Sequence, residues 1–255
     1  MQRRLDWIKM QPASWAHWEP LRGGLAGHAL LVKRYPQAQC FVVEPHARRS
    51  ALAARALAPP WWRLAGWRTP GPRMEMPAQG AVQMLWSNMA LHMSSDPRGL
   101  LAQWHRALAV DGFLMFSCLG PDTLQELRGL YQTLGWAAPS HEFTDMHDWG
   151  DMLVAAGFAE PVMDMERITL TFETPQRLLQ ELRGLGRNLH PQRSAGLRGR
   201  KWLEQLHRAL ALAPLQLSFE VIYGHAFKPP DRLAVRPETV LSLAQMREAL
   251  IQSKR

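Results

Sequence analysis

The polar residues whose type and spacing could do chemistry gather in three places. Ser87, Asn88 and His92 follow the apolar run Val82 to Trp86, which reads as a buried strand. Open α/β sheets place ligands at the carboxyl ends of such strands. These side chains serve either a ligand or the turn itself, with His92 as a core-edge histidine, because loop amides and hydroxyls satisfy backbone groups equally well. Glu44 ends the run FVVE, where a carboxylate can accept hydrogen bonds from both hydroxyls of a ribose. Its alternative is an ordinary exposed glutamate before Pro45. The third group, His141, Glu142, Asp145, His147 and Asp148, has the donor types of a metal site. Asp145 or Asp148 reads better as the N-cap of the next helix, so no metal is expected. Cys40 and Cys118 lack ligand spacing and disulfide density, and read as small core residues.

The elements that must position these groups alternate in the first half of the chain as βα units of a parallel sheet do. Ser14 to Trp18, Cys40 to Val43, Val82 to Trp86 and Phe113 to Cys118 read as strands, and Leu25 to Arg34, His46 to Leu57 and Pro97 to Leu108 as helices. A further strand is expected near Arg73 to Met76. Asp96 with Pro97, and Asp122 with Gln125, fit helix starts, and Gly112 after Asp111 marks a turn into the next strand. Pro59 to Pro77 is loop-rich yet too apolar for a free linker. Beyond it, Val162 to Thr171 and Leu217 to Gly224 read as strands flanking a helical stretch, Pro175 to Leu210, with a break near Asn188 to Pro191. The expected division is one domain over 1–232, with helical cap at about 140–210, then a C-terminal helix and basic tail over 233–255. Met74, Met76, Met84, Met89 and Met93 read as gap-filling core residues, and apolar packing is expected of the six tryptophans before residue 70.

The run QMLWSNMALH from Gln83, followed by DPRGLLAQWHRALAVDGFLMFSCLGPDTLQELR from Asp96, resembles the malonyl-carrier-protein O-methyltransferases of the biotin pathway. The resemblance continues through FTDMHDWGDMLVAAGFAEPVMD, LLQELRGLGRN and FEVIYGHAFKP. The mitochondrial arginine hydroxylases that assist assembly of respiratory complex I are similar over the same SN and DTL-ELR segments. Both imply a class I methyltransferase (Rossmann-like) α/β fold: a seven-stranded sheet with its final strand antiparallel and helices capping the mouth. The first family further implies S-adenosylmethionine as cofactor and an acyl-carrier thioester as partner. Gly23, Glu44, Ser87, Asn88 and His92 would then hold the cofactor. Asp122, Thr123, Arg128 and Arg183 would face the substrate, whose free carboxylate an arginine fork can grip. Arg183 is favoured over Arg128 for that grip, with solvated helix faces as the alternative for both, and Asp122 fits a helix cap better than a base. No catalytic residue is assigned, since a carboxylate acceptor needs alignment more than a base.

The departure from the family lies in its glycine loop. A working member reads P-x-x-V-L-D-x-G-C-G-x-G. Aligned from Pro12, this chain reads PASWAHWEPLRG, with His17 for the acid, Glu19 and Leu21 for two glycines, and Gly23 retained. Those glycines allow positive φ and close approach of backbone to the methionine moiety. Gln83 also replaces an aspartate ahead of the SN strand. Two functions therefore stand open: a carrier-directed O-methyltransferase, or a degenerate, inactive homologue that serves as a binding or assembly partner.

Whole-chain properties narrow the class. The 255 residues are 47% hydrophobic and 20% charged, as in a folded globular protein. The formal charge of +8 favours an acidic partner, with a modest basic concentration at Arg193, Arg198, Arg200 and Lys201. No recognition motif supports nucleic acid. No apolar run is long enough to span a membrane, and no h-region follows the first arginines, so a cytoplasmic protein is expected.

Overall fold

The computed structural model describes residues 1–58, 71–186, 188, 190–196 and 198–230. Its sheet contains β1 (Ser14–Trp18), β2 (Gln39–Val43), β3 (Val82–Asn88), β4 (Leu108–Leu119), β5 (Ala159–Thr171) and β6 (Gln216–Phe227), in the order β2-β1-β3-β4-β6-β5. Neighbours from β2 to β4 are parallel, and β6 runs antiparallel to β4 and β5. The antiparallel final strand is as expected. The described residues form six strands rather than seven, because the segment near Arg73 contributes a single parallel bridge, Arg73 to Phe41, at the outer side of β2. Prolines at 72 and 77 leave too few amide donors there for a ladder.

The helices are α1 (Pro20–Gly23), α2 (Leu25–Arg34), α3 (Ala47–Leu57), α4 (Pro97–Ala107), α5 (Gln125–Thr133), α6 (Met146–Ala155), α7 (Pro175–Leu185) and α8 (Arg200–Ala211). One sheet face buries Leu85, Leu114, Phe116 and Ile222 beneath Leu101 and Trp104 of α4 and Trp149 and Leu153 of α6. The other buries Trp15, Val42, Met84 and Met115 beneath Leu5, Leu31 and Ala53, which belong to a 3-10 turn over Gln2–Trp7, α2 and α3. A third cluster joins α5, α7 and α8 through Leu127, Leu178 and Leu206 at the end of the sheet where β6 begins. Strands buried on both faces are why these segments read as continuous apolar runs and not as alternating ones.

Several local expectations hold. The Asp96 side chain accepts from the Gly99 amide at 2.9 Å, with Pro97 at the first helical position. Asp145 caps α6 by accepting from the His147 amide at 2.7 Å. Cys40 and Cys118 are buried free thiols.

Others are corrected. Asp122 does not cap α5. Leu124 takes a left-handed conformation at φ 57 and becomes the N-cap, which puts Asp122 too far ahead to reach the first helical amides. Gly112 does not follow a free turn, since β4 starts at Leu108 and residues between the pairs Val82–Leu108 and Met84–Phe113 bulge from the ladder. Met76 and Met93 are exposed rather than core, at 44% and 36%, as is Trp7 at 87%. Residues 59–70, with three of the six early tryptophans, and residues 233–255 lie outside the described residues. Among the described residues no helix is long and apolar enough to cross a membrane.

Candidate functional site

The carboxyl ends of β1, β2 and β3 bring Glu19, Glu44, Ser87 and Asn88 to one edge of the sheet. β1 ends at Trp18, and the Glu19 amide still donates to the Val43 carbonyl at 2.8 Å. Glu19 then adopts φ 50, ψ 57, the left-handed conformation for which glycine is the usual choice. The backbone has thus kept the glycine-loop shape while carrying a Cβ and a charge. From Glu19 the chain turns directly into the one-turn helix α1, which ends at Gly24 with φ 92.

The Glu19 carboxylate faces Arg22 Nε at 3.1 Å and Arg49 at 3.4 Å. Glu44 has a fully buried side chain: one oxygen accepts from the Leu21 amide at 3.0 Å, and the other faces Arg49 Nε at 3.3 Å. Alignment of this last contact is poor for a hydrogen bond, so it acts as an ion pair. The two glutamates and two arginines close into a charge-balanced clasp over the end of β2. One Glu44 oxygen thus accepts a protein hydrogen bond, and the other faces a guanidinium without accepting one. S-adenosylmethionine is the cofactor of this fold family, and the Glu19–Arg49–Glu44 clasp stands at the strand end where its ribose would be held. The Leu21 side chain, which stands where the family has a glycine, leans onto the apolar cluster of the sheet face.

Gly23 and Asn88 form a close approach. A Cβ at Gly23 would lie 2.7 Å from the Asn88 carbonyl oxygen. The Asn88 amide donates to the Gly23 carbonyl, and its oxygen accepts from Ser117 Oγ at 2.5 Å. Asn88 thereby ties α1 to β4. Ser87 is fully buried with its hydroxyl unpartnered. His92, in a 3-10 turn over Leu91–Met93, accepts from the Leu119 amide at 3.3 Å through Nδ1, which leaves the proton on Nε2. Burial, helped by the charges of His141 and Arg22, pushes His92 down to about 4.

His17 lies away from this mouth. It is fully buried against α2, where its Nδ1 stands 3.3 Å from His28 Nδ1 and the rings stack at 5.5 Å. Burial pushes His17 down to about 3 and His28 down to about 4. The Gln83 side chain accepts from the Ala13 amide at 2.6 Å, at the opposite end of β1 from Glu19.

On the substrate side, Asp122 and Thr123 lie in the turn after β4, and Arg128 follows in α5. The Asp122 carboxylate pairs with Arg167, and its amide donates to Glu220 at 2.8 Å. Thr123 Oγ1 bridges the main chain of Glu220 at 3.2 Å on both its amide and carbonyl. Arg128 donates to the Pro121 carbonyl. Arg183 stands on the exposed surface of α7, and the structure gives it no contact with the turn. Among the described residues no group of three acidic, histidine or cysteine side chains is placed to hold a metal.

Residue-by-residue reading missed Arg22, Arg49, His28 and Glu220. Arg49 had a signal: with Arg48 it puts two cations in the first turn of α3, which carries no acid there. The helix dipole disfavours cations at that end, so a local acid had to repay the placement. Arg22 had one too, as an i,i+3 partner of Glu19, whereas His28 and Glu220 had none, since their partners lie 11 and 98 residues away.

Comparison with known proteins gives no match to a family model. The malonyl-acyl-carrier protein O-methyltransferase of Laribacter hongkongensis is 39% identical, the match covering 91% of this chain and 81% of that protein. The protein of the same name from Gallionella capsiferriformans is 37% identical over 91% and 83%. Among solved structures, the YcgJ protein of Bacillus subtilis matches with a TM-score of 0.58 at 14% identity, covering 90% of this chain and 98% of that one. A putative methyltransferase of Bacillus halodurans matches at 0.55 and 13%, over 85% and 92%. The strand order, the antiparallel β6 and these neighbours establish a class I methyltransferase fold, and the chain belongs to the malonyl-acyl-carrier protein O-methyltransferase family.

Proposed function

We propose that this chain is a family member that recognises an acyl-carrier thioester while its methyl-donor end is held shut, so that it works by binding rather than by turnover. The observation that carries this reading is the fully buried Glu44 carboxylate, engaged by the Leu21 amide and Arg49. A ribose would have to displace both partners and break a buried ion pair, at a cost of about 3 kcal/mol. The carrier half of the reading rests on the relatives' names and on the formal charge of +8, which suits an acidic partner.

A second reading, methyl transfer from S-adenosylmethionine, is favoured by 39% identity across most of the chain and by the glycine-like φ of Glu19. Calorimetric titration with S-adenosylmethionine, S-adenosylhomocysteine and a malonyl carrier protein separates the two. The binding reading expects no heat and no thermal shift from either nucleoside at about millimolar concentration, with saturable heat from the carrier. Glu19→Gly with Arg49→Gln is expected to raise nucleoside affinity. Saturable nucleoside binding to the unaltered chain overturns the binding reading.

A further inference from the structure

A cavity of about 460 Å³ lies on the sheet face opposite α4 and α6, between β4, β6 and β5 and the N-terminal segment that crosses them. That volume is within the range of small-molecule sites, about 300–1,000 Å³. Its floor is a row of register partners: Val162 of β5 pairs with His225 of β6, which pairs with Met115 of β4. Directly paired residues show their side chains on one face. Tyr223 and Phe227, two residues to either side of His225 along β6, therefore flank it, and the Phe227 ring meets the imidazole edge-on at 4.7 Å. Trp7, Ile8 and Met10 form the opposite wall. The charges that reach the interior cancel, because Arg4 stacks on the Tyr223 ring at 4.0 Å and pairs with the Asp164 carboxylate. Lys9 is exposed at the rim, where its ammonium stays hydrated. His225 is the polar group left in the floor. Burial holds its pKa below the usual histidine value, so the ring is neutral near neutral pH and offers one donor and one acceptor. Its Nε2 is buried with no hydrogen-bond partner among the described residues.

The geometry points to a binding site here, apart from the sheet edge, for a neutral fused-ring aromatic molecule that carries a hydroxyl group. The rings of Trp7, Tyr223 and Phe227 favour a flat aromatic guest over a saturated one of equal size, and the thioethers of Met10 and Met115 adapt to ring edges. An ionic guest would find no unpaired charge in the interior to balance it. The hydroxyl bonds the His225 nitrogen at the centre of the floor, in whichever direction the imidazole tautomer allows. The site is independent of whether a methyl donor enters the sheet edge.

Equilibrium dialysis of the full chain against naphthol, naphthalene and the saturated alcohol decalol tests the assignment. Naphthol is expected to bind saturably, at least about fivefold tighter than naphthalene through the added hydrogen bond and about threefold tighter than decalol. His225→Phe keeps a ring in the floor and should erase the margin over naphthalene. Val162 is 60% exposed on β5, so Val162→Trp fills the cavity from its open side without entering the core and should abolish binding of all three. No saturable binding to the unaltered chain, a naphthol margin that survives His225→Phe, or binding that survives Val162→Trp overturns the assignment. So does a concentration-dependent dimer in sedimentation that Trp7→Ala dissolves, which would give the cavity to a second copy of the chain.

Discussion

Replacing His17 and His28 together by leucine should abolish a large acid-sensitive part of the protein's stability. Both rings are buried, with their Nδ1 atoms 3.3 Å apart, so one donates and the other, the acceptor, must be neutral. Burial lowers His17 to about 3 and His28 to about 4, whereas in the unfolded chain each titrates near 6.5. Lowered folded values mean that the unfolded state binds more protons between those limits. The stabilisation is therefore complete above about pH 6.5 and is lost as pH falls toward about 4. At pH 5 each unfolded histidine gains about 2 kcal/mol from protonation, which the folded ring forgoes, so the pair costs about 4 kcal/mol. That is a large share of a typical folding stability of about 5–15 kcal/mol. Urea denaturation at about pH 7.5 and pH 5 measures it. The unaltered chain should lose about 4 kcal/mol more than His17→Leu/His28→Leu across this interval. Equal losses in the two proteins would refute the claim that the rings are held neutral.

Arg49→Gln should destabilise the fold by about 3 kcal/mol at neutral pH by leaving the buried Glu44 uncompensated, and adding Glu44→Gln should recover most of the loss in the same urea assay. At Gly224 an added Cβ would fall on the Phe116 ring, so Gly224→Ala should cost about 1–3 kcal/mol by overpacking, read as a lowered melting temperature. Asp96→Ala removes the cap of α4 and should cost about 1 kcal/mol, seen as faster amide exchange at Gly99 and Leu100.

Strands and capped helices were legible because their signals are local. β1, β3 and β4 are apolar runs between breakers, and the Asp96–Pro97 pair announces α4 on its own. Asp122 misled because its spacing to Gln125 fits a capping box, while the Glu220 carboxylate, 98 residues later in the chain, takes the Asp122 amide and Leu124 adopts the turn. The glycine loop was legible as a departure, and the placement of Glu19 at positive φ agrees with the alignment that put a glycine there. What no local pattern could show was the fate of Glu44. Its position at the end of β2 was readable, but its surroundings depend on a guanidinium in α3 and an amide in α1. The same holds for Asn88, whose partners Gly23 and Ser117 come from the end of α1 and from β4.

Among the described residues the sheet terminates at β5, a strand of 13 residues paired on one side, with Val162 60% and Leu170 45% exposed. A border this long and this greasy invites a neighbouring molecule to dock backbone to backbone and seed insoluble fibres. Pro161 withholds an amide, the left-handed Glu160 twists the start of the strand, and Asp164, Glu166 and Arg167 set charges along it. The outermost described strand thus carries its own deterrents against edge-to-edge pairing, set in a few residues of a strand whose one partner, β6, runs antiparallel to it.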